Sequence, residues 1–87
     1  MDFSYIQDRI LQFSEVRDWQ VYHNPKNLIM ALMGEVGELS EIFQWLNPED
    51  AVAASANGAI HSAAEDELAD IFIYLVTLAG SLDVDIL

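Results

Sequence analysis

Two Asn-Pro pairs divide the sequence and constrain its fold more than any other feature. Asn24-Pro25 has the form of a helix N-cap followed by proline at the first helical position. Asn47-Pro48 ends such a helix, because the residue before a proline is pushed out of the helical region. The apolar residues between the two pairs keep helical spacing. The sequence therefore predicts a long helix from about residue 25 to Leu46.

Another helix is predicted before this segment. Ser4 with Gln7 has the pattern of a capping box, in which two side chains pair with free backbone N–H groups at the start of a helix. The apolar residues that follow keep the spacing of one helical face. Together they predict a first helix over about residues 4–18.

A third helix is predicted near the end of the sequence. Residues 47–61 are small and polar, with Asn57-Gly58 as a turn, which predicts a loop with at most one helical turn. Ser62 with Glu65 forms a second capping box and opens a helix that reaches about Leu82. Because strand signals are scarce, the predicted fold class is all-α.

Two glutamates interrupt the apolar side of the middle helix. At about 100° per residue, its large apolar side chains fall within one arc. Glu35 lies inside the continuation of this arc, and Glu38 lies at its edge beside Trp45. Glu41 lies further out and is expected to be solvated. Gly37 costs up to about 1 kcal/mol relative to alanine, which suggests close packing or the approach of a ligand, although a tolerated glycine is also common.

The third helix carries a second acidic pair between two apolar faces. Glu67 and Asp70 lie in a narrow polar stripe that also holds Tyr74. The residues on either side of the stripe are apolar almost all round the helix axis, and such a helix packs on two sides. With 53% hydrophobic residues in a chain of 87, this predicts a short helical bundle completed by oligomerisation.

The acidic pairs have two interpretations. Acids three residues apart on a helix usually belong to a solvated face. Two pairs that face each other would instead bring four carboxylates together, and hard oxygen ligands in that number suit Mg²⁺ or Mn²⁺. Buried carboxylates without partners are costly, and the chain has only three Lys and Arg residues to pair with them. On these residues alone, both interpretations stay open.

Composition excludes several function classes. The 15 acidic and 3 basic residues give a net charge of −12, which disfavours nucleic-acid binding and anionic membrane surfaces, since both need cationic side chains. Without cysteine there is no disulfide framework. The N-terminus lacks the features of a secretory signal, and the apolar run Leu68–Leu82 is too short to span a bilayer. The sequence predicts one helical domain over residues 1–87, located in the cytoplasm.

The acids and their surroundings resemble a known family. Glu35-x-x-Glu38, followed after a 28-residue gap by Glu67-x-x-Asp70, resembles the signature of the MazG-type all-α nucleoside triphosphate pyrophosphohydrolases. The stretches "RDWQVYHNPKNLIMALMGEVGELSEIFQWL" and "EDELADIFIYLVTLA" are similar to the dCTP pyrophosphatase branch. The resemblance covers the chain from about Ile6 to Leu82.

The resemblance implies a Mg²⁺-dependent enzyme, with Mn²⁺ as a substitute. Its reaction would be the hydrolysis of a nucleoside triphosphate, dCTP-like or a modified dNTP, to the monophosphate and pyrophosphate. Glu35, Glu38, Glu67 and Asp70 would hold the metal and, through it, the triphosphate. Glu38, with Glu35 as the second catalytic candidate, would orient the attacking water or accept its proton.

Six further residues match substrate-binding positions of the family. Trp19, Trp45 and Tyr74 match aromatic positions that line the base and sugar pocket, and His23, Lys26 and Asn27 match the motif before the second helix. Taken without the resemblance, a buried tryptophan is more often part of a core than a platform for a base. Lys26 is as often a solvated side chain as a phosphate contact.

The resemblance also implies a homodimer or homotetramer with pockets at the subunit junctions. Family members usually continue with a further helix that carries additional cationic residues, whereas this sequence ends at Leu87. The alternative expectation is therefore a non-catalytic acidic helical module that oligomerises and binds a nucleotide or a protein partner.

Overall fold

The computed structural model describes residues 3–16 and 24–86, and all of their regular structure is helical. The helices are α1 (Phe3–Val16), α2 (Pro25–Phe43), α3 (Pro48–Val52), which is followed by a 3₁₀ turn (Ala53–Ala56), and α4 (Gly58–Ser81). The described residues contain no strand, so the predicted all-α fold class is confirmed. None of the described helices combines the length and the apolar content needed to cross a membrane.

The start of α1 differs slightly from the prediction. The helix begins at Phe3, so Ser4 lies in its first turn and not at the N-cap position. Helix ends commonly differ by one or two residues between assignments. The predicted end at residue 18 lies outside the described residues.

The start of α2 follows the prediction, but its end does not. The Asn24 side chain accepts a hydrogen bond of 2.9 Å from the backbone N–H of Asn27, and Pro25 occupies the first turn. The helix ends at Phe43, three residues before the predicted Leu46, and residues 44–46 form a turn. The chain must leave the helix early because the residue before Pro48 needs an extended backbone.

The predicted loop after α2 contains more helix than expected. Asn47 has an extended backbone with φ −74 and ψ 166, and its side chain accepts a 2.8 Å hydrogen bond from the N–H of Asp50. Pro48 then occupies the first helical position of α3, whose first turn contains Glu49 and Asp50. Both acids stabilise α3, because the N-terminal end of a helix dipole is positive. The second Asn-Pro pair therefore ends one helix and begins the next.

The predicted start of α4 at Ser62 is wrong. The helix begins at Gly58, and the Asn57 side chain caps it by accepting a 3.2 Å hydrogen bond from the N–H of Ile60. Asn57-Gly58, interpreted as a turn, is thus a helix start, and Ser62 lies in the second turn. Asparagine is at least as good an N-cap as serine, which explains why the earlier signal prevails.

The C-terminal end of α4 lies close to the predicted Leu82. The helix ends at Ser81, and Asp83 takes the left-handed conformation with φ 53. The Val84 N–H donates to the Ala79 carbonyl, and the Asp83 N–H donates to the Gly80 carbonyl. These two hydrogen bonds form a Schellman motif, which satisfies the last carbonyls of the helix.

Helix α4 is the centre of the packing. Its largest contact is with α2, and it also contacts α1 and the 3₁₀ turn. The C-terminal half of α2 lies beside the N-terminal half of α4, as in antiparallel neighbours, since Phe43 and Ala64 line the same groove. Among the described residues, Leu28 and Val76 are the most deeply buried large side chains, each only 1% exposed. Completion of the bundle by oligomerisation stays a prediction.

Candidate metal centre

Three of the four predicted acids come together between α2 and α4. Glu35 and Glu38 are three residues apart on α2, and Glu67 lies on the facing part of α4. Each side chain places one carboxylate oxygen within 4.8 Å of those of the other two. Helical spacing aligns the pair on α2, and the packing of α2 on α4 adds the third acid.

The three carboxylates differ in exposure. Glu35 and Glu67 are half-buried, whereas Glu38 is exposed. The Oε2 atoms of Glu35 and Glu67 are buried, and no described residue donates a hydrogen bond to them. A buried polar oxygen without a partner is costly. The cluster therefore has two oxygens that need a ligand from outside the described chain.

The close approach of these acids shifts a pKa. The pKa of the Glu67 carboxyl is raised to about 7, first because a protonated Glu67 could donate a hydrogen bond to the nearby Glu35 carboxylate. Burial raises it further, as do the hydrogen bond and the negative charge of Glu38. Like charges at this distance favour the retention of one proton. Without a cation, the close approach of the three acids therefore favours protonation of Glu67.

The donor set fits a divalent metal ion. Hard divalent cations prefer carboxylate oxygens, and one such ion would satisfy the buried oxygens and offset the clustered negative charge. A cluster of exposed acids alone would not support this interpretation. The two buried oxygens without hydrogen-bond partners are the additional observation that does.

Asp70, the fourth predicted acid, lies outside this cluster. It is exposed on α4 and does not place an oxygen within the 4.8 Å set. Three residues separate it from Glu67 along the helix, so it projects from a neighbouring point of the same side. Its aspartate side chain is one methylene shorter than that of glutamate.

The predicted substrate-binding residues are not gathered into one site. Tyr74 is half-buried on α4, whereas Trp45 is 85% exposed in the turn after α2. Lys26 and Asn27 are exposed in the first turn of α2. Trp19 and His23 lie outside the described residues. The assignment of these six residues to a nucleotide pocket stays a prediction.

Two hollows were not anticipated from the sequence. One, of about 330 Å³, lies between α1 and α4 and contains the cationic side chain of Arg9 beside Ile73. The other is an apolar groove of about 440 Å³ between α2 and α4. The sequence could have indicated this groove. Val36 and Leu68 directly follow Glu35 and Glu67, so each projects from a different side of its helix than the acid before it.

Comparison with known proteins identifies the fold and the family. The MazG-like family profile matches residues 31–87, a range that includes all four acids. The chain belongs to the MazG-like family. Among its curated relatives, dCTP pyrophosphatase 1 of Bos taurus is 45% identical over 75 residues, and that of Homo sapiens is 43% identical over the same length. Both matches cover 86% of this chain but only 44% of the relative.

A solved structure supports the same fold. A pyrophosphatase from Archaeoglobus fulgidus has a TM-score of 0.83 and 34% sequence identity, covering 94% of this chain and 75% of its own. The chain thus spans less than half the length of the curated relatives and most of the solved structure. The family and the fold follow from these matches.

Proposed function

We propose that this protein hydrolyses a deoxynucleoside triphosphate, dCTP or a modified dNTP, to the monophosphate and pyrophosphate. The observation that supports this most directly is the acid cluster with its two buried oxygens that lack hydrogen-bond partners. The relatives named dCTP pyrophosphatase 1, at 43–45% identity, support the choice of substrate. Removal of surplus or non-standard nucleotides would be the cellular role.

The proposed cofactor is Mg²⁺, with Mn²⁺ as a substitute. Glu35, Glu38 and Glu67 would hold the ion, and Asp70 would join them if the substrate or the ion draws it in. When bound, the ion would polarise phosphate oxygens and lower the pKa of a bound water. An acidic site can accept an anionic triphosphate only with such a cation present.

Within the cluster, Glu38 is the proposed general base. It is the exposed member, so its carboxylate can reach a water that enters from solvent. Glu35 and Glu67 are half-buried and therefore better suited to hold a fixed ligand geometry. Glu35 is the second catalytic candidate because it lies one helical turn away on the same side of α2.

The proposed substrate contacts lie on the helices around the cluster. Tyr74 lies about two turns beyond Glu67 on α4, where its ring is half-buried. An aromatic ring in this position can stack on a base without choosing its identity. The other proposed contacts are Trp19, His23, Lys26, Asn27 and Trp45.

The proposal includes a homodimer or homotetramer that acts in the cytoplasm and binds neither nucleic acid nor membranes. The charge of −12 supports the last two points, since phosphate backbones and anionic lipids would be repelled. The exposed apolar residues support self-association.

The test is pyrophosphate release from a panel of dNTPs with and without Mg²⁺. We expect turnover that EDTA abolishes and Mg²⁺ restores, with dCTP or a modified dNTP ranked first. Glu38→Gln should lower kcat by about 100-fold or more, since general bases contribute at least that much. Glu41→Gln, an exposed acid on the same helix, is the matched control and should change kcat by less than about threefold.

A second candidate is a nucleotide-binding module without turnover. The position of Asp70 outside the cluster favours it, because three ligands hold a metal–triphosphate complex less completely than four. Thermal stabilisation by dNTP and Mg²⁺ with no pyrophosphate release at any dNTP would select this function and reject the first.

A further inference from the structure

The hollow between α1 and α4 differs in chemistry from the rest of this acidic chain. Its volume is about 330 Å³, and its walls are Tyr5, Ile6, Arg9, Ile10 and Ile73. We name it the Arg9 hollow. We propose that it binds a small organic anion in which one phosphate or carboxylate group is joined to a planar ring. The inference goes beyond the proposed reaction and does not depend on it.

The first step of the argument is the local charge. The chain has 15 acidic and 3 basic residues, yet the residues that line the Arg9 hollow include one cation and no acid. Among the described residues, no acid pairs with Arg9, and the ion pair found there joins His61 and Glu65. The planar guanidinium matches the two oxygens of a carboxylate or a phosphate. Within the described chain, its donors are therefore available to an anionic ligand.

The second step is the nature of the walls. Tyr5 and Arg9 are four residues apart on α1 and are therefore neighbours on one side of the helix, and Ile6 and Ile10 form a parallel row. Ile73 supplies the facing wall from α4. A planar ring can stack on the Tyr5 phenol and contact the isoleucines. Apolar and aromatic walls with a few placed polar groups are the usual form of a small-molecule site.

The third step is size, which decides the kind of ligand. A volume of about 330 Å³ lies near the lower limit of ligand pockets, about 300–1000 Å³. A bare phosphate would leave the apolar walls without a contact, and a neutral ring would leave the Arg9 guanidinium without an acceptor. A protein partner in a standard interface covers about 800 Å², far more than the few residues of this hollow offer. A small ring with one anionic group therefore fits best.

The fourth step is the separation of the Arg9 hollow from the acids. The hollow shares no residue with the acid cluster. Ile73 lies six residues after Glu67 on α4, which is about 9 Å along the helix axis and about 120° around it. Asp8 precedes Arg9 in sequence, but it is exposed and projects about 100° away from it around α1. More distant acids are screened beyond about 8 Å at physiological ionic strength, so Arg9 dominates the charge at the hollow.

The test is an NMR titration of the isoleucine methyl groups of the protein in EDTA, with dCMP and phenylacetate as ring-bearing anions. We expect at least one of them to bind with a Kd of about 1 mM or tighter. The methyl signals of Ile10 and Ile73 should shift, whereas that of Ile60, about 20 Å away along α4, should not. Binding of dCMP alone would support a mononucleotide as the ligand, and binding of phenylacetate would support aromatic carboxylates.

Two further probes separate the ring from the charge. Deoxycytidine has the ring without the anionic group, and inorganic phosphate has the anionic group without the ring. Each should bind at least about tenfold more weakly than the better of the two ring-bearing anions, since each lacks half of the proposed contacts.

Variants of the cation test its role. Arg9→Gln should weaken binding by at least about tenfold, because a charge-assisted hydrogen bond is lost. Arg9→Lys should weaken it less, since it keeps the charge and loses only the planar fork. Lys26→Gln is the matched control, because it removes the same charge from an exposed position on α2. It should bind phenylacetate like the parent.

A variant of the wall keeps the test valid if Arg9→Gln fails to fold, which circular dichroism would reveal. Ile73→Trp fills the hollow without a change of charge and should block binding. The proposal would be overturned if neither ring-bearing anion binds, or if Arg9→Gln binds them as tightly as the parent. Phosphate that binds as tightly as dCMP would mean an adventitious ion only and would also overturn it. Pyrophosphate release is measured separately with Mg²⁺, so the two proposals can fail independently.

Discussion

The two sides of the α2–α4 pair place their polar and apolar groups in opposite ways. On one side, Glu35 and Glu67 turn carboxylate oxygens inward where no described residue pairs with them. On the other, Leu68 and Phe72 turn large apolar groups outward. Each arrangement is unfavourable for an isolated protomer. The comparison teaches that both sides of this pair carry groups that the described residues do not satisfy, carboxylate oxygens on one side and apolar side chains on the other.

The largest expected effect comes from a substitution in the acid cluster. Glu67→Gln removes a proposed metal ligand, and we expect kcat to fall by about 100-fold or more. A Glu67→Gln variant that retains full turnover would remove the acid cluster from the mechanism.

The next largest effect is the loss of stability when the core between α2 and α4 is truncated. Leu28 is 1% exposed, and Leu28→Ala should lower the free energy of unfolding by about 2–5 kcal/mol. Met30→Ala, on the exposed side of the same helix, should stay within about 0.5 kcal/mol of the parent. Urea denaturation measures both. Equal losses would mean that α2 packs with a different face inward.

The acid side should also respond to pH in the absence of metal. The pKa of Glu67 is raised to about 7 in the folded protein from 4.5, so the folded state binds this proton more tightly than the unfolded state. Its stabilising contribution is full below about pH 4.5 and is lost as the pH rises towards 7. Melting temperatures measured in EDTA should therefore fall across this window.

Glu67→Gln supplies the comparison for this pH dependence. It should flatten the fall in melting temperature, whereas Glu41→Gln should retain the fall. If the slope is the same in Glu67→Gln and the parent, the proton resides elsewhere.

The smallest effect concerns the start of α4, the helix that carries both sides. Asn57→Ala removes the cap and should cost about 1 kcal/mol, whereas Ser62→Ala, within the helix, should change stability by less than about 0.5 kcal/mol. Thermal or urea unfolding distinguishes the two variants. A larger cost at Ser62 would restore the later helix start that the sequence first suggested.

Most of the fold could be predicted from the sequence because its signals are local. Asn24 caps α2 as expected, and the apolar spacing identifies all three long helices. The errors occurred where two local signals competed. Asn57-Gly58 resembles a turn, and Ser62 with Glu65 resembles a capping box. In the structure, however, the Asn57 side chain caps α4, so the helix begins before Ser62.

The site could be predicted only in part, because its geometry depends on how two helices pack. Helical spacing places Glu35 beside Glu38 and Glu67 beside Asp70. The rotation of α4 against α2, which the sequence does not specify, brings in Glu67 and leaves Asp70 outside the 4.8 Å set. The packing of the same two helices also forms the apolar groove that is lined by Val36 and Leu68.

Gly37 lies in the interior of α2, and no described group lies within 4 Å of the place where a Cβ would stand. Packing within the described part of the protomer therefore does not require glycine at position 37. Gly37→Ala should therefore stiffen α2 in the isolated protomer without causing a steric clash. If Gly37→Ala instead destabilises the protein once nucleotide or another subunit is added, that ligand or subunit contacts α2 at position 37.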